Sequence, residues 1–276
     1  MIFSNQKLSG LGLSLNSAFF GFYAHAGLML FLEEIQFQPS FLTGSSAGAI
    51  IAALFASEIP MKELTEELVK FEKSDFWEGS FFSSYTKPFQ KGLNNYTGHL
   101  SGNKLRKFLI KYLGNKNIED LKIKLGIVVS NLTKRKRELL TKGNLVDAVI
   151  ASSAFPLLFE IQKIHHEEYT DGGLVDHEPI KEMILDKKIK KIITHRIQTK
   201  KDSSKNALLR SINSGLGVIE SETDDLKSIL AKHLNKKIIR LNTETYPLNP
   251  NSLDKGKENI LLGYETGKKY KKIFLI

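Results

Sequence analysis

Short apolar runs alternate with helical periodicity along most of the chain. Gly12-Leu13-Ser14-Leu15 reads as a buried strand, and the stretch from Gly21 to Glu34 carries Phe22, Ala26, Met29 and Leu30 at helical spacing before closing on acids. The next segment repeats that order. Ser40 to Thr43 is strand-like, Gly44-Ser45-Ser46-Ala47-Gly48 is too small and flexible for the middle of an element, and Ala49 to Ala56 is an apolar helix. Two strand–turn–helix units in succession predict an α/β protein built on a parallel sheet.

Pro60 opens a further helix over 61–73, with Leu64, Leu68 and Phe71 on one face. From Asp75 to Tyr96 the periodicity gives way to aromatic residues set among Gly, Ser and Asn. That composition suits a cover over an apolar site, and equally a buried irregular excursion. A basic amphipathic helix over 105–113 and a buried strand over 125–130 follow. Residues 138–140 are placed to pair nearby, after Lys134-Arg135-Lys136-Arg137, which reads as a solvated hairpin tip. A helix over 145–152 and strands over 160–164 and 168–170 lead into Asp171-Gly172-Gly173. Pro179 opens a helix, and 190–194 is a strand. The tail adds a long helical pattern from Leu208 to Leu230, a strand over 237–241 and a last helix after Pro250. No linker, low-complexity block or repeat divides the chain, so one domain is expected.

Composition narrows the chemistry. With 276 residues, 41% hydrophobic and 25% charged, the chain can bury a core and solvate its surface, which excludes disorder. It has no cysteine, so disulfides, thiolate metal sites and cysteine nucleophiles are excluded, and a reducing compartment is suited. The first residues, Met1 to Lys7, lack the basic and apolar regions of a secretory signal, and no apolar stretch is long enough to span a bilayer. The expected location is therefore cytoplasmic. Forty Lys and Arg against thirty Asp and Glu give a formal charge of +10, which favours anionic surfaces. A specific nucleic-acid partner would rest on that charge alone and is not expected.

Gly44 to Gly48 fits G-x-S-x-G, in which flanking glycines let a strand turn sharply into a helix and project the middle serine, Ser46. A helix starting there also aims backbone N–H groups at developing negative charge. A serine nucleophile needs a base. Asp171 is the best placed acid, at the end of a predicted strand and followed by Gly172 and Gly173, although Asp-Gly-Gly is also a common plain turn. The histidines offer less. His25 falls inside the first helix, His165 and His166 sit in a polar turn, and His99, His177, His195 and His233 have no supporting frame. No Ser–His–Asp triad can be assembled from them. Histidine spacing for a metal, a P-loop lysine and the dinucleotide-binding glycines are all missing.

The order of these motifs is more specific than any one of them. A strand with a small-residue turn, G-x-S-x-G at 44–48, Ala151-Ser152-Ser153-Ala154-Phe155-Pro156, and Asp171-Gly172-Gly173 with Pro179 downstream together resemble the patatin-like phospholipases. The similarity covers residues 8–195. In the tail, Leu262-Gly263-Tyr264-Glu265-Thr266-Gly267 is similar to a segment of many bacterial members. The resemblance implies a three-layer α/β/α sandwich with a central, mostly parallel sheet. It implies a catalytic domain over 8–195 with a C-terminal extension, 196–276, packed on it. It further implies a Ser46–Asp171 dyad working through an acyl-enzyme, no metal or organic cofactor, and a lipid or other acyl-ester substrate. Segment 75–96 would then line or cover the acyl site, and the basic surface would hold the protein against anionic membranes.

One stretch departs from the family pattern. Its oxyanion loop reads G-x-G-x-x-G, whereas here Asn16-Ser17-Ala18-Phe19-Phe20-Gly21 keeps only Gly21, although His25 and Gly27 match the helix that follows. The resemblance places oxyanion donors at the backbone N–H groups of Ser17, Ala18 and Ala47. Where glycines would adopt positive φ, Asn16 and Ala18 would each cost about 1 kcal/mol. The alternative reading is a catalytically impaired, lipid-binding relative.

Overall fold

The computed structural model describes residues 10–78, 96–200 and 207–274. In chain order the elements are β1 (Leu11–Leu15), α1 (Phe22–Glu34), β2 (Phe41–Ser45), α2 (Ala47–Ala56), α3 (Met61–Val69), α4 (Lys73–Phe76), β3 (Gly98–Leu100) and α5 (Asn103–Leu113). There follow β4 (Lys124–Asn131), β5 (Lys136–Leu140), α6 (Leu145–Ser152), β6 (Leu157–Phe159), β7 (Gln162–Ile164), β8 (Glu167–Thr170) and α7 (Lys181–Leu185). The chain closes with β9 (Lys191–Thr199), α8 (Ala207–His233), β10 (Lys237–Thr245), α9 (Gly256–Lys269) and α10 (Lys271–Phe274).

Strands β1 and β2 are buried at every position, and β4 at every position but Lys124. Burial without alternation marks strands covered on both faces, as in a parallel sheet between helical layers. The sheet runs in the order β10-β9-β1-β2-β4-β8-β7, with β5 paired to β4. From β10 to β4 every pairing is parallel, and β5, β7 and β8 add antiparallel pairs at the far side. One face packs Leu13, Leu15 and Leu42 against α1 and α2 through Leu28, Leu32 and Ile51. The other packs Phe41 and Ile192 against α7 and α8 through Ile180, Met183 and Ala231. The protein is thus a three-layer α/β/α sandwich. β1 lies between β2 and β9, and the crevice at the carboxyl ends of strands beside such a switch point is where open α/β sheets hold ligands.

Several boundaries differ from the sequence pattern. The helix expected over 61–73 stops at Val69, and α4 begins separately because Glu72 and Asp75 form a capping box, the Glu72 N–H donating to Asp75 Oδ2 at 2.7 Å. The strand expected over 160–164 is shorter, β7 starting at Gln162 and joining the main sheet. Just before it, β6 is a strand the sequence pattern did not predict, paired with β3 in a small separate sheet. β9 and β10 run on to Thr199 and Thr245 as a paired ribbon. Apart from Ile197, its outer positions are polar and carry no apolar signal. Residues 134–136 of the basic run are exposed as a solvated tip would be, and Arg137 is the exception. It lies in β5 and pairs with Asp176 at 2.6 Å and Glu182 at 2.6 Å, while Lys134 pairs with Glu167. Most of the aromatic segment, 79–95, lies outside the described residues.

The C-terminal elements are fitted to the rest at close range. β10 extends the sheet beside β9, and α9 lies on α1 with glycines at the crossing. A Cβ on Gly27 would fall 1.9 Å from the Ile260 carbonyl oxygen, and one on Gly263 would fall 1.9 Å from that of Ala24. Backbone on both sides leaves no flexible end to move. Gly263→Ala is therefore expected to destabilise the fold by about 1–3 kcal/mol, a fall in Tm of roughly 3–10 °C. A thermal melt with unchanged Tm would mean that the helices do not cross at this point.

Candidate active site

Ser46 sits between β2 and α2 with φ 51° and ψ −119°, a left-handed region that a serine occupies only under constraint. The glycines of the motif supply that constraint. A Cβ on Gly48 would lie 2.2 Å from the Leu15 carbonyl oxygen, and one on Gly44 would lie 2.6 Å from that of Gly48. Strand, turn and helix can therefore meet only as glycine. The Ser46 N–H donates to Ser152 Oγ at 2.9 Å, and Ser152 donates in turn to the Val128 carbonyl at 2.6 Å. Ser152, at the end of α6, thus fastens the backbone of the elbow to β4. The sequence marked that serine only as part of a motif and offered no role for it.

Asp171 follows β8 and is held from all sides. Its N–H donates to the Ala154 carbonyl at 3.0 Å and its own carbonyl accepts from Ser130 Oγ at 2.7 Å. Its carboxylate is buried. Oδ1 accepts the Gly173 N–H at 2.7 Å, and Oδ2 accepts the Ser46 hydroxyl at 2.7 Å. Gly172 is required because a Cβ there would lie 2.2 Å from the Val128 carbonyl oxygen. Gly173 is required because a Cβ there would lie 2.6 Å from Ser17 Oγ. Burial pushes the Asp171 carboxyl up from 3.8 to about 7, with the two hydrogen bonds pulling the other way.

The loop after β1 brings Ala18 to the same cleft, while spending one of the expected donors. The Ser17 N–H donates to the His177 carbonyl at 2.8 Å and is not free to face a ligand in this conformation. Among the described residues, the N–H groups of Ala18 and of Ala47, the first residue of α2, have no protein acceptor. The positive φ expected at the lost glycines is found elsewhere: Asn16, Ser17 and Ala18 have ordinary φ, and only Phe20, at φ 57°, is left-handed. No strain is therefore charged to Asn16 or Ala18. The Asn16 side chain serves as an anchor, its Oδ1 accepting the Ile197 N–H of β9 at 3.2 Å.

Ser46, Asp171, Ala18 and Ala47 line a cleft of about 680 Å³. Its walls are mostly apolar, with Phe20, Phe71, Phe76, Phe108 and Phe155 among them. Phe71 and Phe76 stack at 5.7 Å, and Phe20 meets Phe76 edge-on at 6.0 Å. Phe19 and Leu157 also line the cleft and are 60% and 67% exposed, which puts them at its rim. Beneath the Asp171 loop a cluster of ion pairs joins residues 176–178 to β9 and α8. Lys227 pairs with Asp176 at 2.6 Å, and Arg196 with Glu178 and Asp224 at 2.7 Å each. Burial alone would raise the Glu178 carboxyl, but the hydrogen bond and charge of Arg196, with Arg240 behind it, outweigh burial and hold it well below its ordinary value.

A family model for patatin-like phospholipases matches residues 13–184, and the chain belongs to that family. It is 26% identical over 162 residues to Lysophospholipase NTE1 of Yarrowia lipolytica, covering 58% of this chain and 11% of that protein. Lysophospholipase NTE1 of Candida albicans is 25% identical over the same shares. The chain thus spans about a tenth of the length of these curated relatives. Among solved structures, VipD from Legionella pneumophila superposes with a TM-score of 0.53 at 14% identity, over 96% of this chain and 67% of that one. This last likeness is one of fold.

The Asp171 carboxyl also bears on stability. With its folded value near 7 and an ordinary value of 3.8, the folded protein retains a proton that the unfolded chain has released. Stability therefore falls as pH rises through that window, by a few kcal/mol on the order of this shift. Asp171→Asn has no such group, keeps an oxygen for the Gly173 N–H and can donate to Ser46 Oγ. Its Tm is expected to exceed that of wild type at pH 8, with the gap narrowing toward pH 5. A gap independent of pH would mean that Asp171 titrates as an ordinary carboxylate.

Proposed function

We propose that this chain is a serine lipid acyl hydrolase in which Ser46 is the nucleophile and Asp171 its general base. The observation that carries this reading is the 2.7 Å hydrogen bond from the Ser46 hydroxyl to Asp171 Oδ2, with no imidazole between them. A base with pKa near 7 is partly ionised at neutral pH and accepts a proton readily. As Ser46 Oγ forms a bond to the ester carbonyl carbon, its proton passes to Asp171 Oδ2. The carbonyl electron pair moves onto oxygen, facing the N–H groups of Ala18 and Ala47 and the positive end of α2. Collapse of that intermediate breaks the ester bond, and the leaving alcohol takes the proton from Asp171. Water then attacks the acyl-enzyme, gives its proton to Asp171, and releases the fatty acid as Ser46 regains a hydrogen.

The cleft supports an acyl chain as the bound group, since its walls offer apolar surface and few polar partners beyond the reacting residues. The exposed rim residues Phe19 and Leu157, with a net charge of +10, support transfer of lipid from an anionic surface. No helix among the described residues is long and apolar enough to cross a membrane, and the contact we infer is peripheral. The impaired, lipid-binding alternative was motivated by the substitutions at Asn16 and Ala18 in the oxyanion loop. Their ordinary φ values remove the strain, while the Ser17 N–H is spent on the His177 carbonyl, so our reading rests on the N–H groups of Ala18 and Ala47.

Wild-type protein should label with a fluorophosphonate and release fatty acid from mixed anionic vesicles. Ser46→Ala should lose the label, and both Ser46→Ala and Asp171→Asn should lower kcat/KM by about 10³-fold or more. Labelling that survives Ser46→Ala would exclude this serine. In wild type, kcat/KM should rise with pH through a single limb centred near 7, because only ionised Asp171 accepts the proton. A limb centred near 4 would mean that the base is a carboxylate whose affinity for a proton burial does not raise, and the loss of kcat/KM in Asp171→Asn would then decide its role alone. Release from vesicles should also fall as salt is added, and a rate indifferent to ionic strength would argue against electrostatic docking.

A further inference from the structure

Two buried imidazoles take no part in the steps above. His25 on α1 and His195 on β9 face each other with 2.9 Å between their Nδ1 atoms, and both are fully buried. Each ring has a second partner. His25 Nε2 lies 3.0 Å from the Asn16 carbonyl oxygen, and His195 Nε2 lies 2.8 Å from Thr243 Oγ1 on β10. Thr243 Oγ1 is in turn 2.6 Å from Thr266 Oγ1 on α9.

Elementary hydrogen-bond chemistry assigns each proton in this chain. A carbonyl oxygen only accepts, so His25 Nε2 carries the hydrogen. Burial lowers His25 to about 4 and His195 well below its ordinary value, so both rings are neutral and each has one N–H. His25 Nδ1 is then a lone pair, and His195 Nδ1 must be the donor to it. That leaves His195 Nε2 as an acceptor, and the Thr243 hydroxyl must donate there. With its own hydrogen so used, Thr243 Oγ1 accepts from Thr266 across 2.6 Å, although the Leu262 carbonyl also lies 3.0 Å from the Thr266 hydroxyl. From Thr243 to Asn16 all three bonds point one way. Reversing any of them would set two hydrogens or two lone pairs against each other in a buried site.

The end of the chain is the start of the loop that presents Ala18. Asn16 is fixed there by its N–H to the His195 carbonyl at 3.2 Å, its side chain to Ile197, and its carbonyl to His25. We propose that His25, His195 and Thr243 are positioning residues for acyl transfer. In this scheme the Thr243 hydroxyl sets the tautomer of His195, which sets that of His25, which holds the Asn16 carbonyl and thereby the aim of the Ala18 N–H. The proposal rests on the reading of Ala18 as an oxyanion donor. His195, Thr243 and Thr266 all lie beyond residue 184, where the family match ends, so the relay ties the oxyanion loop to the C-terminal elements.

Two independent measurements test it. Nitrogen-15 NMR of histidine-labelled protein should show His25 as the Nε2–H tautomer and His195 as the Nδ1–H tautomer, both neutral at pH 7; the opposite pair, or a charged ring, overturns the relay. In kinetics, Thr243→Val removes the hydroxyl at nearly constant shape. It should lower kcat by about 10-fold with KM within about twofold, and should slow fluorophosphonate labelling in parallel. Thr243→Ser restores the hydroxyl and should recover most of the loss. His25→Gln, whose amide can reach the Asn16 carbonyl, should retain more kcat than His25→Leu. An unchanged kcat in Thr243→Val, or equal losses in Thr243→Val and Thr243→Ser, would overturn the positioning role. If wild type neither labels nor hydrolyses, the hydrolase reading fails, and the tautomer measurement still decides whether the relay exists.

Discussion

The hydrogen bond between Ser46 and Asp171 joins the ends of two strands that are not neighbours, since β4 lies between β2 and β8. Two strand spacings amount to about 9–10 Å, and two short side chains close that gap only if both turns fold inward over the end of β4. Much of the local sequence answers to this requirement. Gly172 lies against the Val128 carbonyl with no room for a side chain, Ser152 ties the same carbonyl to the Ser46 N–H, and Ser130 holds the carbonyl of Asp171. The strained φ of Ser46 is the backbone counterpart of that inward fold.

Two of the buried acids near this point show how the surroundings divide labour between like groups. Glu178 has Arg196 and Arg240 beside it and is held ionised, as a fixed charge in a structural cluster. Asp171, seven residues earlier, has only the Ser46 hydroxyl and the Gly173 N–H for company, and burial leaves it poised near neutrality. A cation at Asp171 would depress its affinity for a proton and blunt it as a base. The arginines are instead consumed in holding the loop to β9 and α8.

The strand–turn–helix order, the α/β class and the pairing of a small-residue elbow with an Asp-Gly-Gly loop were all legible in the sequence, because each leaves a local trace. A glycine that cannot bear a Cβ and an apolar run covered on both faces can be read within a few residues. The role of His195 could not, since its partner is 170 positions away and no pattern around it hints at a second imidazole. The oxyanion loop misled for a related reason. Missing glycines suggested strain at Asn16 and Ala18, but the left-handed residue is Phe20, and Asn16 replaces glycine with a side chain that grips β9. Arg137 likewise looked like one cation among four until the fold placed Asp176 and Glu182 against it.

The place of β1 in the sheet has a consequence for how the molecule is made. Its Leu13 pairs on one side with Leu42, close in sequence, and on the other with Ile193, which is 180 positions away. Until that distant strand arrives, the middle of the sheet presents an open apolar edge, of the kind that other chains can extend. Loop closure over such a span is slow relative to forming helices and hairpins. A growing polypeptide therefore carries this edge uncovered until residues 191–199 have been made, and β9, not the motif-bearing turns, decides when the middle of the sheet is closed.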